Sequence, residues 1–230
     1  MDVLFVTVKA AQLPEAVEAA PAGALGGGLV VPFLNGIDHL AWLRDRYPPD
    51  QVVAGTIRIE STRVGPGLIE HASPFAVVEL ATGQPSRRAE VEALGARLAE
   101  TGLDVTVRDD EAGALWAKLA VLAPIALVTT WVAAPFGEAR AGHRDELVAV
   151  VAEIAAAARA DGVELDETAT IGLVERVPDA MRTSMQKDAA AGRPIELDAI
   201  GGSVLRAADR AGTDAPVTAR LVADLRTRYA

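Results

Sequence analysis

Residues 29–36 read LVVPFLNG, an apolar run that ends in Asn35-Gly36. A second run of this kind, VLFVTV, extends from Val3 to Val8 and is closed by Lys9. Continuous β-branched and apolar runs of this length are typical of parallel strands buried on both faces. The residues from Glu15 to Ala20 suit a short helix between the two runs. The pattern predicts a βαβ unit at the start of the chain.

The remaining elements divide the chain into an α/β half and a helical half. In the first half we predict, in order, a helix over His39–Arg46, a strand over Val52–Glu60, an antiparallel hairpin of two short strands parted by Ser73-Pro74, a helix over Arg88–Glu100 and a strand over Asp104–Arg108. After residue 108 strand-like runs disappear. The predicted helices there are roughly Ala112–Trp131, Asp145–Asp161, Ile171–Ala190, Glu196–Ala211 and Thr218–Arg228. The prediction is an α/β domain over residues 1–108 and an all-helical domain over residues 109–230.

Composition and charge exclude several classes of function. The 230 residues carry a net charge of -10, which disfavours nucleic acid and anionic membrane surfaces as partners. The absence of cysteine excludes disulfides and thiolate chemistry and fits a cytoplasmic protein. The first ten residues, MDVLFVTVKA, do not have the pattern of a secretory signal.

One apolar stretch is nearly long enough to cross a membrane. Leu119 to Gly137 contains no charged residue, and a spanning helix needs about 20 apolar residues. Pro124, Pro135 and the many alanines favour a helix buried among other helices instead. We therefore predict a core helix and no membrane span.

Five motifs resemble, in order and spacing, those of the ketopantoate reductases (2-dehydropantoate 2-reductases, enzymes of pantothenate biosynthesis). They are VTVKA around Lys9, the pair Asn35-Gly36, LWAKLAV around Lys118, TSMQKDAAAGRPIELDAIGG from Thr183 to Gly202, and GTDAPVT from Gly212. The resemblance covers nearly the whole chain. It implies an N-terminal Rossmann-like domain, a helical C-terminal domain, a small-molecule substrate, NADPH as cofactor and a homodimer.

The dinucleotide-binding fingerprint of that family is missing from these residues. In a Rossmann unit, a glycine-rich turn between a strand and a helix places the pyrophosphate at the helix N-terminus. The triplet Gly26 to Gly28 precedes a predicted strand and is therefore a loop. The expected fold is thus a truncated Rossmann-like sheet followed by an all-helical domain, and NADPH binding requires that the missing segment be supplied.

The resemblance assigns two catalytic roles. Lys118 corresponds to the lysine that protonates the keto oxygen, and Glu196 to the acid that binds a substrate hydroxyl and orients Lys118. Each has a purely structural alternative. A lysine can snorkel at a helix end, and an acid in the first turn of a helix is stabilised by the macrodipole.

Binding roles are assigned in the same way. Ser184 corresponds to the residue that holds the substrate carboxylate, although a mid-helix serine can simply bond back to a carbonyl. Asn35 corresponds to a residue that touches both cofactor and substrate, although Asn-Gly also serves as a plain turn. Lys9 corresponds to a lysine near the cofactor, or is a solvated residue at a strand end. The three histidines, His39, His71 and His143, have no partner at metal-site or triad spacing, so no metal is expected.

Two substitutions on the helix after Lys118 depart from the family. The family has asparagines one and two turns beyond the lysine, in the substrate pocket, where this chain has Leu122 and Ala126. Phe136 replaces a third asparagine. Each lost amide removes a hydrogen bond worth about 1 kcal/mol, which disfavours a polyhydroxylated acid. A less polar substrate than ketopantoate is expected.

Three functions remain open from sequence. The first is NADPH-dependent reduction of a 2-oxo acid or related ketone. The second is a cofactor-independent lyase, isomerase or cyclase that reuses the pocket of Lys118 and Glu196. The third is a non-catalytic binding protein whose exposed sheet is covered by dimerisation.

Overall fold

The computed structural model describes residues 1–229, which form two compact units. The first unit comprises Met1–Leu34 and His39–Leu115 and contains every described strand. The second comprises Asn35–Asp38 and the chain from Trp116 onward, and it is helical. The division falls inside helix α4 (Glu111–Val132), a few residues after the boundary predicted at residues 108 and 109.

The first unit begins with the predicted βαβ arrangement. Strands β1 (Val3–Val6) and β2 (Leu29–Pro32) are parallel, and helix α1 (Leu13–Ala19) lies between them in the chain. Each strand ends two residues earlier than its apolar run, which extends to Val8 in the first case and to Leu34 in the second. The Gly26–Gly28 turn precedes β2, as expected for a loop. A side chain at Gly28 would collide with the Met1 carbonyl oxygen, so glycine permits this close approach.

A three-stranded sheet completes the first unit. Helix α2 (Asp38–Arg44) is followed by β3 (Ala54–Gly65), β4 (Leu68–Ala81), helix α3 (Arg88–Ala99) and β5 (Asp104–Arg108). β4 lies in the middle, antiparallel to β3 and parallel to β5. The apolar core consists of Leu29, Val31, Val53, Val78, Leu80 and Val91. The two sheets and α3 thus share one hydrophobic core.

The predicted hairpin around Ser73-Pro74 was wrong. The actual hairpin joins β3 to β4 and turns between Gly65 and Leu68. Ser73 and Pro74 lie within β4, where the register shifts between the pairs Ile59–Ala76 and Ser61–His71. Such a bulge tolerates proline, because a residue outside the ladder has no hydrogen bond to lose.

The second unit contains the helices after the division in α4. They are α5 (Phe136–Ala158), α6 (Glu167–Glu175), α7 (Ser184–Ala190), a π-helical turn (Asp198–Gly202), α8 (Ser203–Ala211) and α9 (Pro216–Arg228). α5 starts nine residues earlier than predicted. It is kinked at His143, whose backbone is non-helical and which lies two residues before the predicted start.

The single helix predicted over Ile171–Ala190 was also wrong. It is two helices, α6 and α7, separated by a segment that contains Pro178. The carbonyls of Asp179 and Met181 in this segment accept hydrogen bonds from the N–H groups of Gly137 and Phe136. These N–H groups belong to the first turn of α5 and have no partner within that helix. The interruption therefore caps α5.

Helix α4 is a buried core helix. By length and composition it could cross a membrane, but 72% of its apolar 18-residue stretch is buried within the protein. This burial confirms the predicted core helix.

Candidate active site

A hydrogen bond joins two of the predicted site residues across 161 positions of the sequence. The Nδ2 of Asn35 donates to Oε2 of Glu196 at 3.0 Å, and both side chains are half-buried. An amide carries its nitrogen and oxygen on the same carbon, so this bond also fixes the direction of the Asn35 oxygen. The result is a preorganised amide and carboxylate pair.

The Asn35 turn lies tightly against the segment that follows Glu196. Gly36 has a φ of +82°, a left-handed conformation that favours glycine. A Cβ at Gly36 would collide with the carbonyl oxygen of Ala199 and lie 3.0 Å from its carbonyl carbon. Gly36 is therefore required by this close approach, so the turn that carries Asn35 is more than a generic one.

Glu196 directly precedes an irregular piece of helix. Its carbonyl accepts the N–H of Ile200 at 3.0 Å, and Asp198–Gly202, which begins two residues later, forms a π-helical turn. Turns of this kind are rare and concentrate at functional sites. Gly201 lies close to α4, since a Cβ there would be 3.0 Å from a methyl carbon of Leu127.

Lys118 and the two substituted positions follow one stripe of α4. Leu122 and Ala126 are one and two turns beyond Lys118, as the spacing requires. Lys118 and Leu122 are half-buried, whereas Ala126 is completely buried. Phe136, at the start of α5, is also completely buried. Ala126 and Phe136 thus have no exposed surface, whereas Leu122 is partly accessible.

Ser184 is the first residue of α7 and is exposed. The preceding Thr183 is the N-cap, and its hydroxyl accepts from the N–H of Gln186 at 3.2 Å. Ser184 is therefore at a helix start, and the alternative of a mid-helix hydroxyl is wrong.

Comparison with known proteins agrees over both halves of the chain. The family model for the ketopantoate reductase PanE/ApbA matches residues 1–82, and the model for the ketopantoate reductase PanE/ApbA C terminal matches residues 111–228. The chain belongs to the ketopantoate reductase family.

Similarity to individual members is distant but extensive. A 2-dehydropantoate 2-reductase of Mycobacterium tuberculosis is 29% identical over 231 residues, which cover 96% of this chain and 74% of the relative. The PanE/ApbA family ketopantoate reductase from Ralstonia eutropha is 26% identical, with a TM-score of 0.86 over 99% of this chain and 76% of the other. The structure of a D-mandelate dehydrogenase with NADH and anilino(oxo)acetate has a TM-score of 0.89 at 21% identity. The match covers 100% of this chain and 76% of the dehydrogenase. This chain thus spans about three quarters of the length of these proteins.

Two polar side chains follow the parallel strands of the first unit, but a turn for a pyrophosphate is lacking within residues 1–229. Lys9 follows β1 and Asn35 follows β2, the strand ends at which ligands of α/β sheets bind. The connection from β1 to α1 has no glycine, and the one from β5 to α4 carries Asp109 and Asp110, whose charges repel phosphate. Within residues 1–229, this member of the ketopantoate reductase family has no glycine-rich strand-to-helix turn that could hold a pyrophosphate.

Sequence reasoning missed an arginine that bridges two carboxylates beside the Asn35–Glu196 pair. Arg206 donates from Nε and Nη2 to Oδ2 of Asp38 (3.0 and 2.7 Å) and from Nη1 to Oδ1 of Asp198 (2.9 Å). Burial opposes its charge, but the hydrogen bonds to Asp198 and Asp38 raise the pKa of Arg206 above its ordinary value. The spacing of Asp198 and Arg206, two helical turns apart, was the available signal. Nothing in the sequence indicated Asp38.

The histidines are dispersed in the fold. His39 is buried in α2, His71 is exposed on β4 and His143 packs edge-on against Trp131. Across residues 1–229 no group of three or more His, Asp or Glu side chains is arranged to hold a metal ion.

Proposed function

We propose that this chain carries the substrate-binding and proton-donating part of a cytoplasmic, NADPH-dependent reductase. Its substrate would be a 2-oxo acid or related ketone that is less polar than ketopantoate. The observation that carries the proposal is the Asn35–Glu196 hydrogen bond, made by two residues that the family resemblance assigns to the site. Membership of an oxidoreductase family over both halves of the chain supports it.

Each residue has a defined task in the proposed reaction. The reduced nicotinamide, when bound, supplies a hydride to the carbonyl carbon. The Lys118 ammonium gives its proton to the carbonyl oxygen, which becomes the hydroxyl of the product. Lys118 is half-buried, so it can regain a proton from solvent.

The Asn35–Glu196 pair orients the substrate. A carboxylate offers about four acceptor sites on two oxygens, so Glu196 can accept from a substrate hydroxyl as well as from Asn35. Ser184, exposed at the start of α7, is proposed to donate to the substrate carboxylate. Leu122 contributes an apolar wall on the Lys118 stripe and disfavours hydroxyl-rich substrates.

The nucleotide-holding turn would have to come from outside these residues. Lys9 and Asn35 are proposed to contact the nicotinamide side of the cofactor. The pyrophosphate needs a separate glycine-rich turn, supplied by a preceding segment or by another chain. A homodimer is also proposed, and light scattering of the purified chain tests it.

Fluorescence titration with NADPH and NADH tests this function. It should be run on the 230-residue chain and on a version extended to any upstream in-frame start. A panel of 2-oxo acids should be included, with aryl, branched apolar and polyhydroxylated members. Nucleotide binding is expected in the form that includes the glycine-rich turn, and an apolar 2-oxo acid should strengthen it.

Failure of both forms to bind either nucleotide would exclude hydride transfer. The cofactor-independent alternative would then apply, which the acidic turn after β5 and the apolar wall at Leu122 favour. It predicts lyase, isomerase or cyclase activity that is lost on substitution of Lys118 or Glu196.

A further inference from the structure

The segment Asn35–Asp38 is held to the helices of the second unit at three points. Asn35 bonds to Glu196, Gly36 abuts the Ala199 carbonyl, and Asp38 forms an ion pair with Arg206. By its contacts this segment belongs with the second unit, although the residues on either side of it belong to the first. Three of its four residues thus make contacts that are distant in sequence.

Arg206 connects the two ends of this arrangement. Asp38 lies three residues after Asn35, and Asp198 lies two residues after Glu196. The guanidinium binds both carboxylates and also donates from Nη2 to the backbone carbonyl of Asp198 at 3.0 Å. Two carboxylates held near one another repel unless a cation lies between them. Removing the guanidinium would therefore release Asp38, and with it the Asn35 turn, from Asp198.

Gly202 makes room for this bridge. A Cβ at Gly202 would lie 2.6 Å from Oδ1 of Asp198 and 3.0 Å from Nη1 of Arg206. Asp198, Gly202 and Arg206 follow each other at intervals of four along the helix. Because the middle residue is glycine, the Asp198 carboxylate and the Arg206 guanidinium can form their hydrogen bond above its Cα.

We propose that Arg206 is a positioning residue, which holds Asn35 against Glu196 by bridging Asp38 and Asp198. Its hydrogen bonds go to these two carboxylates and to the Asp198 carbonyl, so its effect on Asn35 and Glu196 is indirect. The inference deepens the proposed function and rests on it, because it gives the Asn35–Glu196 pair its geometry for the substrate.

The sequence provides a direct probe of this geometry. Asn35 is the single asparagine of the chain, so labelling with ¹⁵N-asparagine gives one side-chain amide signal in an NMR spectrum. The hydrogen bond to Glu196 shifts that signal and slows exchange of its protons with water. Glu196→Gln supplies the reference spectrum without the carboxylate acceptor.

Arg206→Ala should move the Asn35 amide signal toward the Glu196→Gln reference. Exchange of the amide protons should speed up by roughly tenfold or more, as expected for the loss of a hydrogen bond to a charged group. Arg206→Lys, which keeps the charge but not the fork of donors, should restore part of the difference. If Arg206→Ala does not fold, Arg206→Lys and Asp38→Asn carry the same comparison.

Arg220→Ala is the matched control. Arg220 lies in α9 and pairs with Glu146, and its side chain is 44% exposed, the same fraction as that of Arg206. The Asn35 signal should be unchanged in this variant. An unchanged Asn35 signal in the Arg206 variants would overturn the inference, as would an equal change in Arg220→Ala.

The NMR readout separates this inference from the proposed function, because it needs neither substrate nor nucleotide. A displaced Asn35 signal together with no turnover on any ketone would leave Arg206 as the positioning residue and reject the reductase. Where turnover is found, Arg206→Ala should raise KM for the 2-oxo acid by roughly tenfold, because the Asn35–Glu196 pair no longer orients the substrate.

Discussion

At the residue scale, the site depends on a few polar groups with defined partners. The family resemblance identified the candidate site residues, and the structure shows the hydrogen bond between Asn35 and Glu196. That bond was not predictable from sequence, since no local pattern connects positions 161 residues apart. The same applies to Asp38, whose partner Arg206 lies far along the chain. Long-range polar partners are set by packing, and periodicity does not report them.

Leu122 should determine the preference between apolar and hydroxylated substrates. Leu122→Asn restores an amide on the Lys118 stripe. We compare kcat/KM for a branched apolar 2-oxo acid with kcat/KM for a polyhydroxylated one. The substitution should lower the ratio of the first value to the second by roughly tenfold, the effect expected from one added hydrogen bond. Leu122→Met, which keeps the wall apolar, serves as the control. If the ratio is unchanged in Leu122→Asn, Leu122 does not contact the substrate.

Tyr47 should make stability depend on pH at alkaline values. Burial raises the pKa of Tyr47 above its ordinary value of 10.0, and its hydroxyl donates to the Ala20 carbonyl at 2.6 Å. Because the folded state binds this proton more tightly, its contribution is complete below about pH 10 and is lost as pH rises through the folded pKa. Tyr47→Phe should cost about 1 kcal/mol at neutral pH, and the difference from wild type should shrink at alkaline pH.

Urea unfolding at neutral pH and at about pH 10.5 measures this difference in the free energy of unfolding. Tyr229→Phe replaces the other tyrosine of the chain and is the control. A difference between Tyr47→Phe and wild type that stays constant with pH would contradict the assignment.

At the element scale, regular elements were predicted well and irregular ones were not. The βαβ unit and β5 follow from apolar runs and alternation. The hairpin was misplaced, because Ser73-Pro74 has the composition of a turn but occupies a bulge inside β4. The helix predicted over Ile171–Ala190 is broken because its middle segment caps α5, a tertiary contact that outweighs helical spacing.

Gly36 should be essential for the turn that carries Asn35. Gly36→Ala would introduce both a left-handed alanine and a Cβ against the Ala199 carbonyl. We expect a loss of about 2 kcal/mol or more in the free energy of unfolding, together with displacement of the Asn35 amide signal. Denaturant unfolding and the ¹⁵N-asparagine spectrum measure the two effects.

Gly212→Ala is the control that measures only the cost of a left-handed backbone at alanine, without a steric collision. Gly212 also has a positive φ, +65°, but a Cβ added there would meet no atom of residues 1–229 within 4 Å, its chain neighbours aside. The substitution should cost about 1 kcal/mol and leave the Asn35 signal in place. Equal costs at the two glycines would show that the Ala199 contact is unimportant.

At the scale of the whole molecule, the chain is a ketopantoate reductase family member that spans about three quarters of the length of its relatives. Fold class and family were both predicted from sequence, because the motifs cover nearly its whole length. The apolar helix α4, ambiguous by composition, is resolved by its burial within the protein. In the proposed function, residues 1–229 supply an acid, an orienting pair and an apolar wall, and a glycine-rich strand-to-helix turn for the pyrophosphate is lacking among them.

Turnover of the Lys118 variants tests the central claim most directly. The measurement is the oxidation of NADPH dependent on an apolar 2-oxo acid, by wild type, Lys118→Ala and Lys118→Arg, in whichever form of the chain binds the nucleotide. Lys118→Arg keeps the positive charge but cannot release its proton at neutral pH. We predict saturable turnover by wild type and a decrease of roughly two to four orders of magnitude in both variants. Undiminished turnover in either variant would contradict Lys118 as the proton donor, and absence of turnover in every form would contradict the reductase.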